Sequence, residues 1–133
     1  LISDYYTLQP DVNIAGEAVS FGTSGHRGNA SLSSFNQQHI AAICQALAEY
    51  RTAQGYKGPL YLGKDTHALS EPAFATALSV LIANNVPVVV QSDSGYTPTP
   101  VISRLIIVHN KTHNKRICRG IIFNRTDLQK TNT

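Results

Sequence analysis

Long apolar runs are missing from this sequence of 133 residues, and methionine and tryptophan are absent altogether. The longest apolar runs, Leu78–Ala83 and Val86–Val90, are far shorter than the ~20 residues that a membrane-spanning helix needs. A helical transmembrane protein is therefore excluded, and the two runs predict a buried helix and a buried strand.

Cysteine is also scarce, since Cys44 and Cys118 lie far apart and form no CxxC pair. We expect two reduced thiols rather than a disulfide. No basic segment followed by an apolar one opens the chain, so no secretory signal is visible and a cytoplasmic protein is expected. The start at Leu1 and the absence of methionine are consistent with a processed or partial piece of a longer protein.

Charge is distributed unevenly along the chain. Residues 1–110 carry five basic and seven acidic side chains, whereas residues 111–133 carry six basic and one acidic. A basic tail can bind nucleic acid through counterion release, but only Phe123 is available there to stack on bases. We expect a solvated tail that binds neither nucleic acid nor membrane, and a break in composition near Asn110.

Strand and helix patterns alternate, which predicts βαβ units with helices covering a parallel sheet. The predicted fold class is α/β, a three-layer α/β/α arrangement with a mostly parallel (mixed) sheet. Residues 1–17 are expected to form a loosely structured lead-in, 18–123 the domain, and 124–133 a divergent basic tail. The predicted elements are a strand over Ala18–Gly22, a helix over Asn36–Gln54, a strand over Pro59–Gly63, a helix from Ser70 (as N-cap) to Ala83, a strand over Pro87–Gln91, a helix from Thr99 to His109 and a strand over Gly120–Phe123.

The loop Gly22–Gly28 (GTSGHRG) is the strongest candidate for a binding site, because ligands of such sheets bind where strands end. Its glycines let backbone amides approach a ligand, and the hydroxyls of Thr23 and Ser24 can donate hydrogen bonds. The guanidinium of Arg27 can bind an anion through two parallel bonds, which suits phosphate. A structural turn with a surface arginine is the alternative.

Two other polar clusters are weaker candidates. The loop Lys64–Leu69 follows a predicted strand, and we favour a structural turn there over a second binding loop. His109 and His113 have the i, i+4 spacing that can bind zinc on a helix, but no third ligand is near in sequence. No metal site is therefore expected in this chain.

Three segments carry a resemblance: Val19–Gly28 (VSFGTSGHRG), Gly63–Phe74 (GKDTHALSEPAF) and Gly95–Pro100 (GYTPTP). In this order and spacing they resemble the first domain of the bacterial phosphoglucomutases, in the α-D-phosphohexomutase family. The similarity runs from about Ala18 to Asn110. It implies four-domain enzymes that interconvert glucose 1-phosphate and glucose 6-phosphate through glucose 1,6-bisphosphate.

The resemblance also implies which residues belong to the site. Arg27 matches a family arginine that binds the phosphorylated sugar, and Thr23 and Ser24 line the same cleft. Family members hold the phosphoryl group on a serine in a T-x-S-H-N-P loop of the first domain. They bind Mg²⁺ with that phosphoserine and with aspartates of the second domain.

The nucleophilic serine has no counterpart here. Gly120–Ile122 match the strand that enters the serine loop, but Phe123 is followed by Asn-Arg-Thr-Asp, and no serine occurs after Ser103. Without that hydroxyl nothing can carry the phosphoryl group. We therefore expect no catalytic residue, no cofactor and no mutase activity in this chain.

Several alternatives remain open at this stage. The tail can result from a frameshift or a splice, or it can be the genuine end. The chain can be an inactive piece of a phosphoglucomutase or a stand-alone module that binds a sugar phosphate or phosphate without chemistry. A third, less favoured alternative is an interaction protein that binds nucleic acid through Lys111–Lys130. Self-association through uncovered domain surface is a further expectation.

Overall fold

Four α-helices and five short strands make up the computed structural model, which describes residues 2–22, 25–66, 68–92, 95–96, 99–112 and 119–123. Among these residues no helix is long and apolar enough to cross a membrane. The elements are α1 (Ile2–Thr7), β1 (Phe21–Gly22), β2 (Gly25–His26), a 3₁₀ helix (Ala30–Leu32), α2 (Gln37–Gln54), β3 (Leu60–Lys64), α3 (Ser70–Ala83), β4 (Val88–Val90), α4 (Thr99–Thr112) and β5 (Arg119–Phe123).

The main sheet has three parallel strands in the order β4-β3-β5. Leu60 of β3 is paired with Val88 on one side and with Arg119 on the other, and Lys64 is paired with Phe123. The crossover from β3 to β4 contains α3, and the crossover from β4 to β5 contains α4. Since the two crossovers run in opposite directions and such crossovers are right-handed, α3 and α4 cover opposite faces of the sheet. This confirms the α/β prediction.

The first predicted strand, Ala18–Gly22, is wrong in length and in pairing. β1 contains only Phe21 and Gly22 and pairs antiparallel with β2, with Phe21 opposite His26. Gly25 has φ +121°, a conformation that favours glycine and turns the chain back on itself. In the part of the chain that the structure describes, this hairpin forms a sheet separate from the parallel one.

The lead-in over residues 1–17 is also more ordered than expected, since it contains α1. Tyr5 is fully buried, and its hydroxyl lies 2.9 Å from the hydroxyl of Thr76 and 3.4 Å from the carbonyl of Pro72. Burial raises the pKa of Tyr5 to about 12. α1 is therefore part of the core, whose buried apolar members also include Phe35, Ile40, Cys44, Leu60, Leu62, Leu69, Ala73, Ala77 and Leu81.

Helix α2 forms where the helical spacing of Ile40, Ile43, Leu47 and Tyr50 predicts it, and it ends at Gly55, where a glycine after the last turn predicts the end, with φ +69°. The buried face differs from these four positions, because Tyr50 is half exposed and Ile43 and Leu47 are only partly buried. Small side chains, Cys44 and Ala48, face the core instead, so α2 can approach α3 closely. The buried residues of α2 are His39, Ile40, Cys44, Ala48 and Arg51.

Strand β4, predicted to be buried, is exposed at the edge of the sheet. Val89 and Val90 keep 40% and 43% of their surface accessible. On α4, Val101, Leu105 and Val108 are exposed to a similar degree. The prediction of a buried strand is therefore wrong, because β-branched composition does not distinguish a central strand from an edge strand. Self-association through this surface stays a prediction.

Candidate functional site

Arg27 directly follows β2, and its side chain is exposed to solvent. It makes no hydrogen bond or ion pair with any residue that the structure describes. Thr23 and Ser24, the other two predicted binding residues, lie outside the described residues. The guanidinium of Arg27 is therefore available to bind an anion.

The residue before Arg27 fixes the hairpin to its surroundings. His26 Nε2 lies 2.8 Å from the carbonyl oxygen of Ser34, and Nδ1 lies 3.2 Å from the amide nitrogen and 3.1 Å from the carbonyl oxygen of Ser20. Since a carbonyl oxygen only accepts, Nε2 donates to Ser34. Nδ1 is bonded to the backbone of Ser20. One imidazole thus joins the segment before β1 to the segment before α2.

The residue after Arg27 is held by close packing. Gly28 is buried, and a Cβ at this position would lie 2.2 Å from the carbonyl oxygen of Ser34 and 2.6 Å from its carbonyl carbon. The Asn29 amide donates to the Ser34 hydroxyl at 2.9 Å, and the Ser34 amide donates to the Asn29 carbonyl at 3.1 Å. Only glycine fits at position 28 without moving this turn.

A second histidine supports the first. The ring of His26 stacks on His39 at a centroid distance of 5.4 Å and on Phe35 at 6.1 Å. His39 Nδ1 accepts from the Asn36 amide at 3.0 Å, and Nε2 donates to the Glu17 carbonyl at 2.5 Å. His39 therefore accepts a hydrogen bond from the amide at the start of α2. Its bond to Glu17 holds the segment before β1 against that helix.

The polar side chains around the loop after β3 bond to residues of α3. Lys64 is almost fully buried, forms an ion pair with Glu71, and lies over the ring of Phe74 at 4.9 Å. The Ser70 hydroxyl donates to a carboxylate oxygen of Asp65 at 2.5 Å. Ser70 is the first helical residue of α3 rather than its N-cap, which is Leu69. The charges of Lys64 and Glu71 neutralise each other.

Comparison with known proteins identifies the family. Residues 18–123 match the family model described as phosphoglucomutase/phosphomannomutase, alpha/beta/alpha domain I. The chain belongs to the phosphoglucomutase/phosphomannomutase family. A curated phosphoglucomutase of Komagataeibacter xylinus is 49% identical over 123 residues, which are 92% of this chain and 22% of that relative. The resemblance to a phosphoglucomutase first domain is therefore confirmed, and the chain spans about a fifth of the relative's length.

Magnesium, which the family resemblance implies for the complete enzyme, has no set of ligands in the described ranges. No three His, Cys, Asp or Glu side chains come together there. His109 packs edge-on against Tyr61 at a centroid distance of 6.3 Å, while His113 lies outside the described residues.

The motif of this family domain pointed to Arg27, but the residues that support it were missed. His26 and Gly28 lie inside the same motif, yet their partners Ser20, Ser34 and His39 are six to thirteen residues away. The signal that could have found them is the pair of residues flanking Arg27: a histidine able to form two hydrogen bonds and a glycine that permits close approach.

The burial of His39 makes the stability of the chain pH-dependent. Burial lowers the pKa of His39 below its ordinary value, the bond to the Glu17 carbonyl opposes that shift, and the neighbouring His26 reinforces it. The unfolded chain, with a histidine pKa of about 6.5, therefore binds a proton before the folded chain does. We expect stability to fall as the pH drops below about 6.5, until the folded pKa is passed.

Urea denaturation at pH 7.5, 6.5 and 5.5 measures this effect. The matched variant is His39→Gln, since a glutamine at this helix position can still accept from the Asn36 amide but does not titrate. Its stability should depend less steeply on pH than that of the wild type. Equal pH dependence in both proteins would contradict the assignment to His39.

Proposed function

We propose that this chain provides the sugar-phosphate-binding hairpin of a cytoplasmic phosphoglucomutase, the enzyme that interconverts glucose 1-phosphate and glucose 6-phosphate. Arg27 binds a phosphate of the sugar, and Thr23 and Ser24 donate hydrogen bonds to the same ligand. The observation that carries the proposal is an exposed arginine without a partner among the described residues, on a hairpin anchored on both sides of it.

The chemistry of the hairpin fits a phosphate dianion better than a neutral ligand. The guanidinium presents a planar set of N–H donors that matches two phosphate oxygens at once. Binding costs little conformational entropy for the backbone, because the residues on both sides of Arg27 are already fixed.

Phosphoryl transfer is not part of the proposal for this chain alone. The sequence has no serine after Ser103 to carry the phosphoryl group, and magnesium and glucose 1,6-bisphosphate belong to the proposed complete enzyme. Arg27 therefore binds and orients a phosphate here, while the chemistry requires groups that the rest of the enzyme supplies.

Titration calorimetry with glucose 1-phosphate at millimolar concentration tests the proposal. We expect the wild-type chain to bind and Arg27→Ala to weaken binding by about tenfold or more, since a hydrogen-bonded charge contributes roughly 1.5–3 kcal/mol. Arg27→Lys keeps the charge but loses the planar fork, so its affinity should fall between the two.

The matched control is Arg104→Ala, which removes the same charge from an exposed position on α4. Its affinity should equal that of the wild type. Absence of heat with the wild-type chain, or equal weakening by both alanine variants, would refute a phosphate site at Arg27.

A further inference from the structure

The hairpin that carries Arg27 is bonded to the chain on both sides by the side chain next to Arg27. His26 contacts the backbone before the hairpin, at Ser20, and after it, at Ser34, whereas His39, which also joins both sides, lies on α2. We propose that His26 is a positioning residue for Arg27, whose imidazole fixes the direction in which the guanidinium points. This inference rests on the proposed function, because positioning matters only if Arg27 binds a ligand.

Both neighbours of Arg27 are anchored to the same residue. His26 donates from Nε2 to the carbonyl oxygen of Ser34 at 2.8 Å, and Gly28 packs against that same carbonyl group. Two fixed points on either side of one residue leave its backbone little freedom to rotate. The side chain of Arg27 therefore leaves the hairpin from a defined position although the side chain itself is exposed.

The imidazole is itself held in one orientation. Its ring lies nearly parallel to that of Phe35, with an interplanar angle of 11°, and to that of His39, with an angle of 24°. A quarter-turn of the ring about its Cβ–Cγ bond would break both hydrogen bonds and both stacking contacts at once. His26 therefore acts as a rigid brace rather than as a flexible polar side chain.

Two variants with amide side chains distinguish the hydrogen bond of His26 to Ser34 from its bond to Ser20. The side-chain nitrogen of glutamine can take the place of Nε2, so His26→Gln keeps the bond to Ser34, whereas His26→Asn can keep only the bond to Ser20. His26→Leu removes both. His109→Leu is the matched control, because it replaces a histidine on α4 that contacts Tyr61 instead of the hairpin.

The experiment compares three quantities in each variant of the 133-residue chain: the dissociation constant for glucose 1-phosphate, the melting temperature, and the ¹⁵N heteronuclear NOE of Arg27. We expect His26→Leu to weaken binding about tenfold and to lower the NOE of Arg27, with His26→Gln closer to the wild type than His26→Asn. His109→Leu should change neither the affinity nor the NOE.

Each outcome decides between positioning and a merely structural role. If affinity follows the melting temperature across all variants, including His109→Leu, His26 contributes only to folding and the proposal is overturned. If the wild-type chain binds no glucose 1-phosphate, the proposed function fails, and the NOE alone decides the inference. An unchanged NOE at Arg27 in His26→Leu overturns it, and a loss confined to the His26 variants supports it.

Discussion

Replacing Tyr5 with alanine is expected to lower the free energy of unfolding by about 3–5 kcal/mol, the range for removing a large buried aromatic side chain. Tyr5 has no accessible surface, although it lies in a helix of only six residues near the start of the sequence. Its loss would leave a cavity between α1 and α3 and remove the contact to the Thr76 hydroxyl. Urea denaturation with linear extrapolation measures the change.

Tyr6→Ala is the matched control for this prediction. Tyr6 lies next to Tyr5 in the same helix but keeps about half of its surface exposed, so its loss should cost well under half as much. Tyr5→Phe, which removes only the hydroxyl, should cost about 1 kcal/mol. Equal losses for Tyr5→Ala and Tyr6→Ala would show that α1 does not pack on α3 as described.

Replacing Gly28 with alanine is expected to cost about 3 kcal/mol, the upper part of the range for overpacking a tight site. The added methyl group would lie 2.2 Å from the carbonyl oxygen of Ser34, and backbone atoms cannot move aside as a flexible side chain can. The hairpin would have to shift away from Ser34, so the affinity for glucose 1-phosphate should fall together with the stability.

Gly16→Ala tests whether the effect comes from the close contact. A Cβ at Gly16 would meet nothing within 4 Å, so this variant should have nearly the stability of the wild type. Thermal unfolding of both variants, followed by circular dichroism, gives the comparison. The steric explanation fails if Gly28→Ala and Gly16→Ala melt at the same temperature.

The regular elements of this fold were predictable because their signals are local. Helix α2 was predicted from the spacing of its apolar side chains and from Gly55. β3 is shifted from its predicted position by one residue, and β5 begins one residue earlier than predicted. The hairpin of β1 and β2 was not predictable, because its pairing depends on the unusual φ of Gly25 rather than on residue pattern. The exposure of β4 depends on strand order, which no local pattern reports.

The residues of the candidate site also differ in whether the sequence predicts them. Arg27 was found because its motif combines glycines, hydroxyls and a guanidinium in one short loop, a combination that has a direct chemical meaning. The residues that hold Arg27 in place were not found from the sequence. His26 and Gly28 take this role only because folding brings Ser34 into contact with them. A sequence motif can identify the residue that contacts the ligand. The residues that position that side chain are identified only from the fold.

The burial of Tyr5 also has a consequence for the order of events during synthesis on the ribosome. Translation produces α1 before α3, and the Thr76 hydroxyl that contacts Tyr5 lies 71 residues later in the chain. The Tyr5 side chain therefore cannot reach its buried position until α3 has emerged, and until then it stays open to chaperones. A translation product that stops before α3 would leave Tyr5 without Pro72 and Thr76.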